Sequence, residues 1–519
     1  MNIRELIAPM ILSVLTMWMV QYFFMGKQSS ADQENSIRSG QQFVAPETRE
    51  ATKPLQREID FIDEKRPHVA QETVVETQNA HYVFSTDGAS LDRIEFKRGL
   101  HGRHDTITTV FPLPDSDKEQ RCFLVALNEK TPYYFELIGH QETNDEHVIS
   151  YKYDRENSDA VIIKTYTVYK NRYQVDLTLD VTPKKEGNTV EARLFFPSPV
   201  MPDIASSDII SAITTNEQGS IKKIQQKSLD IQTGWFVPTI FGTSNKYFTH
   251  VMRADTDSFS QRAYYKINRQ KGLITILESR PIEQQKSWTL SFYMGPKENT
   301  ALISVDDRLE QILDYSGWLS SISKLLLKIL KLLYSYIGNY GFSIIALTLL
   351  MHLILLPFTL KGDESMRKAD QMKKKMEYLK QKYHNDPQRL KFERDELVRK
   401  HGFGGMGLGC LPRLLSLPIF FALNSVLGSS IELYGAPFFG WIQDLSLPDS
   451  YYVLPVMISL SMLCNSYYVP ASSRPFSIIM ALVMGAFMAN WAAGVALYVT
   501  INTLLIVIQS FLQKRFKSA

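Results

Sequence analysis

The sequence predicts a polytopic α-helical membrane protein of six transmembrane helices, five of them in a C-terminal core, with a large antiparallel β-sandwich outside the membrane. Three observations predict it. From Phe342 to Leu512 five apolar segments alternate with short polar connections. Hydrocarbon offers a backbone no hydrogen bonds, so such segments must be helices of about 20 residues each. From about Glu72 to Glu298 the apolar residues recur with period two instead, as in half-buried strands. A separate apolar stretch, Leu6 to Met25, precedes both. At 519 residues the chain exceeds one ordinary domain, and its net charge of +3 constrains partners little. Where the charges sit is more informative.

Leu6–Met25 follows Arg4 and Glu5 and is long for a signal-peptide core, with no small-x-small cleavage site after Met25. An uncleaved signal anchor is expected, with a cleaved signal peptide as the alternative. Gly26 to about Gln71 is rich in Gln, Ser, Glu, Lys and Pro without apolar periodicity, the composition of a flexible tether. Strand patterns follow at His81–Ser85, Ser90–Phe96, Thr165–Tyr169, Tyr173–Leu179 and Trp288–Tyr293. Turn clusters such as Asp87-Gly88 and Lys170-Asn171-Arg172 separate them. So long a series of strands predicts a large antiparallel sandwich.

From Trp318 to Ile337 the period becomes helical, with Lys324, Lys328 and Lys331 on one stripe opposite Ile322, Leu325, Ile329 and Leu333. Three lysines on one stripe favour an amphipathic helix lying in the interface over another spanning helix. Lys361–Lys400 reads as a helical hairpin: Met366, Ala369, Met372, Met376, Leu379 and Tyr383 recur at helical spacing, then Asn385-Asp386-Pro387 breaks the pattern. Asp386 suits a cap and Pro387 the first position of a second helix, striped by Leu390, Leu397 and Val398. Such a hairpin is either a solvated coiled coil or a dock for lipids, ribosomes or nascent chains. The boundaries are 1–26 for the anchor, 27–71 for the tether and 72–316 for the sandwich. The interfacial helix takes 317–338 and the membrane core 339–519, its hairpin at 361–401.

Lys and Arg placement orients the helices. Lys361–Lys400 holds 13 Lys/Arg against 8 Asp/Glu and is expected in the cytoplasm. Ser429–Tyr451 holds only Glu432, Asp444 and Asp449, with no Lys or Arg, and is expected outside. Arg474, Lys514, Arg515 and Lys517 fall on the side of the basic stretch. Six spans with both termini inside satisfy these placements, so the sandwich lies across the membrane. Cys122, Cys410 and Cys464 are scattered and form no disulfide framework.

Several spans carry polar residues on one face, and a polar residue at membrane depth reads as a pathway or site by default. Thr348 and His352 are four apart, His352 lying about 18 Å from the outer end of its span at the helical rise. A neutral, packed imidazole is the plain alternative. Arg413, Ser416, Phe420 and Asn424 share a face of the next span, where Arg413 can also snorkel to the surface. Tyr498, Asn502 and Gln509 share one in the last. Ser459, Ser461 and Asn465, with Met480, Met484 and Met488, add polar and soft apolar surface. Together these stripes can line a wet cavity open to one side. There is no Walker loop, His-Glu-x-x-His pair or Gly-x-Ser-x-Gly elbow. No catalytic residue, metal ligand or cofactor site is expected, and no enzyme.

The run Gly338-Asn339-Tyr340-Gly341-Phe342-Ser343-Ile344-Ile345, the exit Pro357-Phe358-Thr359, and Gly409-Cys410-Leu411-Pro412 through Leu417-Pro418-Ile419-Phe420 resemble the YidC membrane protein insertases. So do Ala436-Pro437-Phe438, Trp441 through Ser446, Tyr451 through Pro455, and Gly494-Val495-Ala496-Leu497-Tyr498. The resemblance covers nearly everything from Trp318 onward. Gly295-Pro296-Lys297 and the N-terminal anchor are similar to the Gram-negative branch, which implies a periplasmic sandwich of galactose-mutarotase-like type and a bacterial inner-membrane location. It implies a chaperone-like insertase that shelters polar parts of nascent membrane proteins in a hydrophilic groove open to cytoplasm and lipid. It works alone or beside the Sec translocon, among membrane lipids, without nucleotide. A ribosome contact through the hairpin and basic tail is a further expectation, and nucleic acid is not an expected substrate. The groove residues carried over are Thr348, His352, Arg413, Ser416, Phe420, Asn424, Tyr498 and Asn502.

One departure stands out: the family's groove normally has an Arg five residues before the span's Pro, where this chain has His352. A guanidinium is always charged and an imidazole is not. Arg413, at a place the family usually leaves apolar, is expected to restore part of that charge. Val499 and Thr503 depart as well. The runner-up reading is a polytopic solute transporter or channel with an accessory sugar-binding-like domain. It predicts internal repeats, and none is present.

Overall fold

The computed structural model describes residues 69–97, 108–110, 121–128, 132–156, 158–184, 189–200, 210–215, 219–230, 234–267, 272–313, 319–384, 386–401, 416–469 and 474–518. Leu6–Met25, the tether up to residue 68 and Arg413 lie outside the described residues. The chain divides into two compact units, Met1–Asp314 and Tyr315–Ala519.

In the first unit, strands β1 (Glu72–Glu76), β2 (Ala80–Ser85), β3 (Ser90–Phe96) and β4 (Thr108–Val110) form a four-stranded sheet. A five-stranded sheet runs β13 (Gly234–Phe236), β16 (Arg262–Ile267), β17 (Leu273–Glu278), β10 (Ala192–Pro197) and β5 (Leu124–Leu127). The third has nine strands. It runs β12 (Ile221–Gln225), β11 (Ser211–Thr215), β14 (Phe241–Ser244), β15 (Phe248–Asp255), β18 (Lys286–Pro296), β9 (Gln174–Pro183), β8 (Ala160–Tyr169), β7 (Glu146–Tyr153) and β6 (Glu136–Glu142). All pairings are antiparallel, as for Tyr166 opposite Leu177 and Leu194 opposite Leu277. Strict alternation builds the core: Ala160, Ile162, Tyr166 and Val168 of β8 point inward while the residues between stay half-buried. Aromatic rings then join the layers, Phe84 to Tyr166 at 4.7 Å, Phe123 to Phe292 at 4.8 Å and Phe196 to Phe292 at 5.3 Å. The antiparallel sandwich read from period two is therefore present.

The same alternation drives a lysine inward. Lys164, between Ile162 and Tyr166, is fully buried, and its ammonium donates to Gly88 O and Phe123 O at 2.6 Å each. Burial holds its pKa well below the usual lysine range. Two residues of this pocket wall, Ala89 and Phe123, adopt positive φ (42° and 68°), which the Lys164 contacts help to fix.

His250 of β15 is also fully buried, its Nδ1 3.2 Å from Pro197 O. Burial pushes its pKa down to about 3 despite that bond. The unfolded chain, near 6.5, therefore takes up a proton before the folded one does. The neutral imidazole's contribution is complete above about pH 6.5 and is lost as pH falls toward about 3. From pH 7 to 5 the first unit is expected to lose about 2 kcal/mol through this residue. Urea midpoints of the full chain, read from a probe in this unit, check it: His250→Phe should flatten the pH dependence, and an unchanged slope refutes the assignment. The unit ends with a short helix, α1 (Asn299–Ile303), and a 3-10 turn at Asp307–Ile312, whose start Asp306 caps by accepting from Arg308 N.

The second unit is helical: α2 (Ser320–Ile337), α3 (Tyr340–Lys382), α4 (Pro387–His401), α5 (Ser416–Ser429), α6 (Val453–Ser466), α7 (Arg474–Met488) and α8 (Ala493–Ser518). Asn339 caps α3 by accepting from Phe342 N, and Gly338, at φ 71°, lets α2 turn into it. Asp386 accepts from Arg389 N at 3.0 Å and Pro387 begins α4, as the break motif requires. The span ending near Leu360 and the first helix of the hairpin form one 43-residue helix, α3, that continues past Pro357. Within lipid a proline is tolerated where neighbours resatisfy the backbone, and the good helix formers after it carry the helix on.

Tyr340–Leu360 and Ala493–Arg515 are long and apolar enough to cross a membrane. Pro418–Ser429, Val453–Ser466 and Arg474–Met488 are apolar but shorter. At 15 residues α7 rises about 22 Å, below the ~30 Å of hydrocarbon. Small and polar side chains let α6 and α7 approach. Ser459 Oγ donates to Ala481 O at 3.0 Å, and a Cβ on Gly485 would stand 1.9 Å from Ser459 Oγ. Ser461 bonds back to Met457 O, and Ser510 of α8 donates to Asn465 at 3.0 Å. Ser459 and Asn465 thus hold helices together, Ser461 is satisfied within α6, and Met488 is packed in the core.

The face of α2 is also corrected. Ser323, Leu326, Leu327 and Leu330 are its buried residues, whereas Leu325, expected opposite the lysines in the apolar stripe, is exposed. The reason is a specific partner: Lys331 pairs with the buried Glu432 at 2.7 Å, which rotates the lysine stripe partly inward.

Candidate functional site: a polar seam among three helices

Helices α3, α5 and α8 carry the polar positions singled out in the sequence. On α3, Thr348 is buried and donates to Ile344 O of its own helix at 2.7 Å. One turn on, half-buried His352 is hydrogen-bonded to Gln509 of α8. Earlier on α8, buried Tyr498 meets Phe420 of α5, ring centres 5.9 Å apart and tilted by 41°. Asn424, one turn from Phe420, has a buried Oδ1 with no hydrogen-bond partner among the described residues. Asn502, half-buried, follows Tyr498 by one turn. The structure thus joins Phe420 to Tyr498 and His352 to α8, while Thr348 is satisfied locally. Arg413 and the Ser416 side chain lie outside the described residues. Gln509 was legible as a third member of the α8 stripe, eleven residues after Tyr498. Its pairing with His352 was not, because spacing orders one helix and says nothing of its neighbour.

The other end of these helices is closed by 430–452. Asp444 Oδ1 accepts from Gly435 N and Ser446 N at 3.0 and 2.7 Å. Buried Asp449 accepts from Trp441 Nε1, Tyr451 N and Leu454 N at 2.9, 3.1 and 2.8 Å. Asn339 Nδ2 donates to Phe438 O at 3.0 Å, and Phe438 lies so close to Gly341 that a Cβ there would stand 1.9 Å from its ring. Gly494 N donates to Leu445 O at 2.8 Å, and Pro448 bridges Ala492. Exposed Phe439, Trp441, Tyr451 and Tyr452 surround this plug, the residues that favour a membrane–water boundary. Sequence reading used the three acids here only as topology markers; their clustering with Gly, Pro and aromatics was the missed signal for a folded plug.

Residues 332–519 match the family model described as 60Kd inner membrane protein, and 72–329 that of the YidC periplasmic domain. A membrane protein insertase YidC of Cupriavidus metallidurans is 30% identical over 380 residues, covering 69% of this chain and 66% of that protein. One from Geobacter metallireducens is 28% identical over 515 residues, 95% of this chain and 94% of its own. A solved structure described as an active YidC insertase with its first transmembrane domain resolved has 19% identity and a TM-score of 0.35, covering 85% of this chain and 92% of that one. These relatives give the transporter reading no support. With both models matched in succession along one polypeptide, the chain belongs to the YidC family of membrane protein insertases, in the branch that carries a periplasmic domain.

Proposed function

We propose that this inner-membrane protein inserts integral membrane proteins and helps them fold through a polar groove open to cytoplasm and lipid and closed outside, alone or beside the Sec translocon. The observation that supports this most is the asymmetry of α3, α5 and α8. Polar side chains follow one another along their facing stripes, and the end near 430–452 is plugged. Both termini and the α3–α4 hairpin face the cytoplasm in this reading, α2 lies in the outer interface, and the hairpin and basic tail meet the ribosome. The domain limits are those read from the sequence. Each charged residue at the centre of a membrane costs about 2.5–3.5 kcal/mol, and a wet groove removes part of that for a short tail. Burial of the client's apolar helix in lipid then drives release.

Thr348, His352, Ser416, Phe420, Asn424, Tyr498 and Asn502 offer neutral hydrogen bonds and ring faces. Arg413, three residues before Ser416 in the sequence, supplies fixed charge. Photocrosslinkers at 348, 352, 420 and 498 should label stalled nascent chains several-fold more than one at Leu353, which is 65% exposed and about 100° round α3 from His352. Equal labelling from 353 sinks the groove. In insertion assays Arg413→Ala should weaken clients with acidic tails selectively, and full insertion of those clients removes its assigned role.

A further inference from the structure

At the end of α6 and α8 remote from the plug, two cations share one aromatic ring. Lys514 Nζ lies 4.6 Å from the centre of the Tyr467 ring and 5.6 Å from that of Tyr468. The Arg474 guanidinium, opening α7, lies 5.8 Å from the same Tyr467 ring. Both cations are exposed, and Tyr467 is 63% exposed. The arrangement is held from within: the Ser510–Asn465 bond locks α8 to α6 one turn before Lys514 and two residues before Tyr467. No Asp or Glu occurs between Tyr451 and Ala519, so α6, α7 and α8 bring no carboxylate of their own to this cluster. A ring quadrupole attracts each cation only modestly at an exposed site, and two cations drawn to one ring repel each other. An anion between them would offset that repulsion.

We propose that Arg474, Lys514 and the Tyr467–Tyr468 pair bind the phosphate of an anionic phospholipid headgroup. Lipid fits better than a nucleic-acid phosphate because exposed Leu460, Ile508, Phe511 and Leu512 continue the same helices with apolar surface suited to acyl chains. Tyrosine with Lys or Arg is also the pairing expected at headgroup depth. The site rests on the membrane-embedded reading of the second unit and is independent of the groove.

The test uses the full chain in nanodiscs of mixed phosphatidylglycerol and phosphatidylcholine, with co-purifying lipid counted by native mass spectrometry after extraction. The parent should retain phosphatidylglycerol about thirtyfold over phosphatidylcholine, the scale expected for two cations near a surface. The Arg474→Gln/Lys514→Gln double variant should bring that ratio near one. Lys514→Arg should keep the enrichment, and Lys328→Gln on α2 should leave it unchanged. Undiminished enrichment in the double variant overturns the proposal. So does binding of an RNA hairpin that the double variant loses while lipid retention stays constant. Client insertion measured on the same samples reads the groove separately, so a loss there with normal lipid retention counts against the groove alone.

Discussion

Lys331→Ala is expected to destabilise the second unit by about 3–5 kcal/mol, the usual cost of leaving one member of a buried ion pair alone. Glu432 is 2% exposed and Lys331, 35% exposed, reaches it at 2.7 Å from α2. Removing the ammonium leaves a carboxylate that water hardly touches, in a short turn directly after α5. Glu432→Gln should cost less, because a neutral amide tolerates burial better than an unpaired charge. The Lys331→Met/Glu432→Met pair should return close to the parent, since a hydrophobic replacement of both partners is often neutral or stabilising. Unfolding midpoints of the detergent-solubilised full chain check this order. A Lys331→Ala midpoint equal to that of Glu432→Gln removes the pair's structural role. The functional consequence follows from what the pair joins. Leu326 and Leu330 sit in the same apolar core as Leu423 and Leu427 of α5, so α2 is a packed part of the helical unit. If it works loose, α5 loses its outer support and insertion should fall with stability. The swapped Lys331→Glu/Glu432→Lys chain should recover part of it, which a merely space-filling role would not allow.

The β-sandwich was readable because alternation is local: each run such as Tyr173–Leu179 states its own inward face, and β9 obeys it. The same rule placed Lys164 inward, yet composition alone cannot foresee a buried ammonium, since what accepts its protons are carbonyls of Gly88 and Phe123, far away in sequence. Helical periodicity likewise gave the facing residues of α3, α5 and α8 but not their partners. The contact of Phe420 with Tyr498 follows once both stripes face each other; the bond from His352 to Gln509 needs the relative height of two helices, which no sequence pattern encodes. The lysine stripe of α2 misled for a related reason. Counting charges treated three lysines as equivalent, while one of them has a buried carboxylate and helps to set the rotation of the whole helix.

Asp449→Ala is expected to open the plug, at a cost of about 2–3 kcal/mol, because the buried Leu454 N–H left without its acceptor costs about 1–3 kcal/mol and the two part-exposed donors lose a charge-assisted bond. The carboxylate holds three donors at once: the Trp441 indole, Tyr451 N and Leu454 N. The last is in the first turn of α6, where an acceptor is needed in any case. Between them Tyr452 stands at φ 57°, a left-handed conformation that a bulky residue keeps only when its surroundings fix it. Without Asp449 that turn should relax, freeing the α6 N-terminus and the Trp441 loop together. Asp449→Asn keeps the shape and some acceptor capacity but loses the charge-assisted bonds, so a milder effect of about 1–2 kcal/mol is expected. Two measurements separate loosening of the plug from general unfolding. A cysteine at Phe438, beside Gly341, should become reactive toward an impermeant thiol reagent added from the outside in Asp449→Ala and stay protected in the parent. The same chain should retain its sandwich signal, because that unit shares no residue with 430–452. Protection of position 438 in a folded Asp449→Ala chain would mean that the hydrogen bonds around Asp444 and the contact of Gly341 with Phe438 close the outer end by themselves.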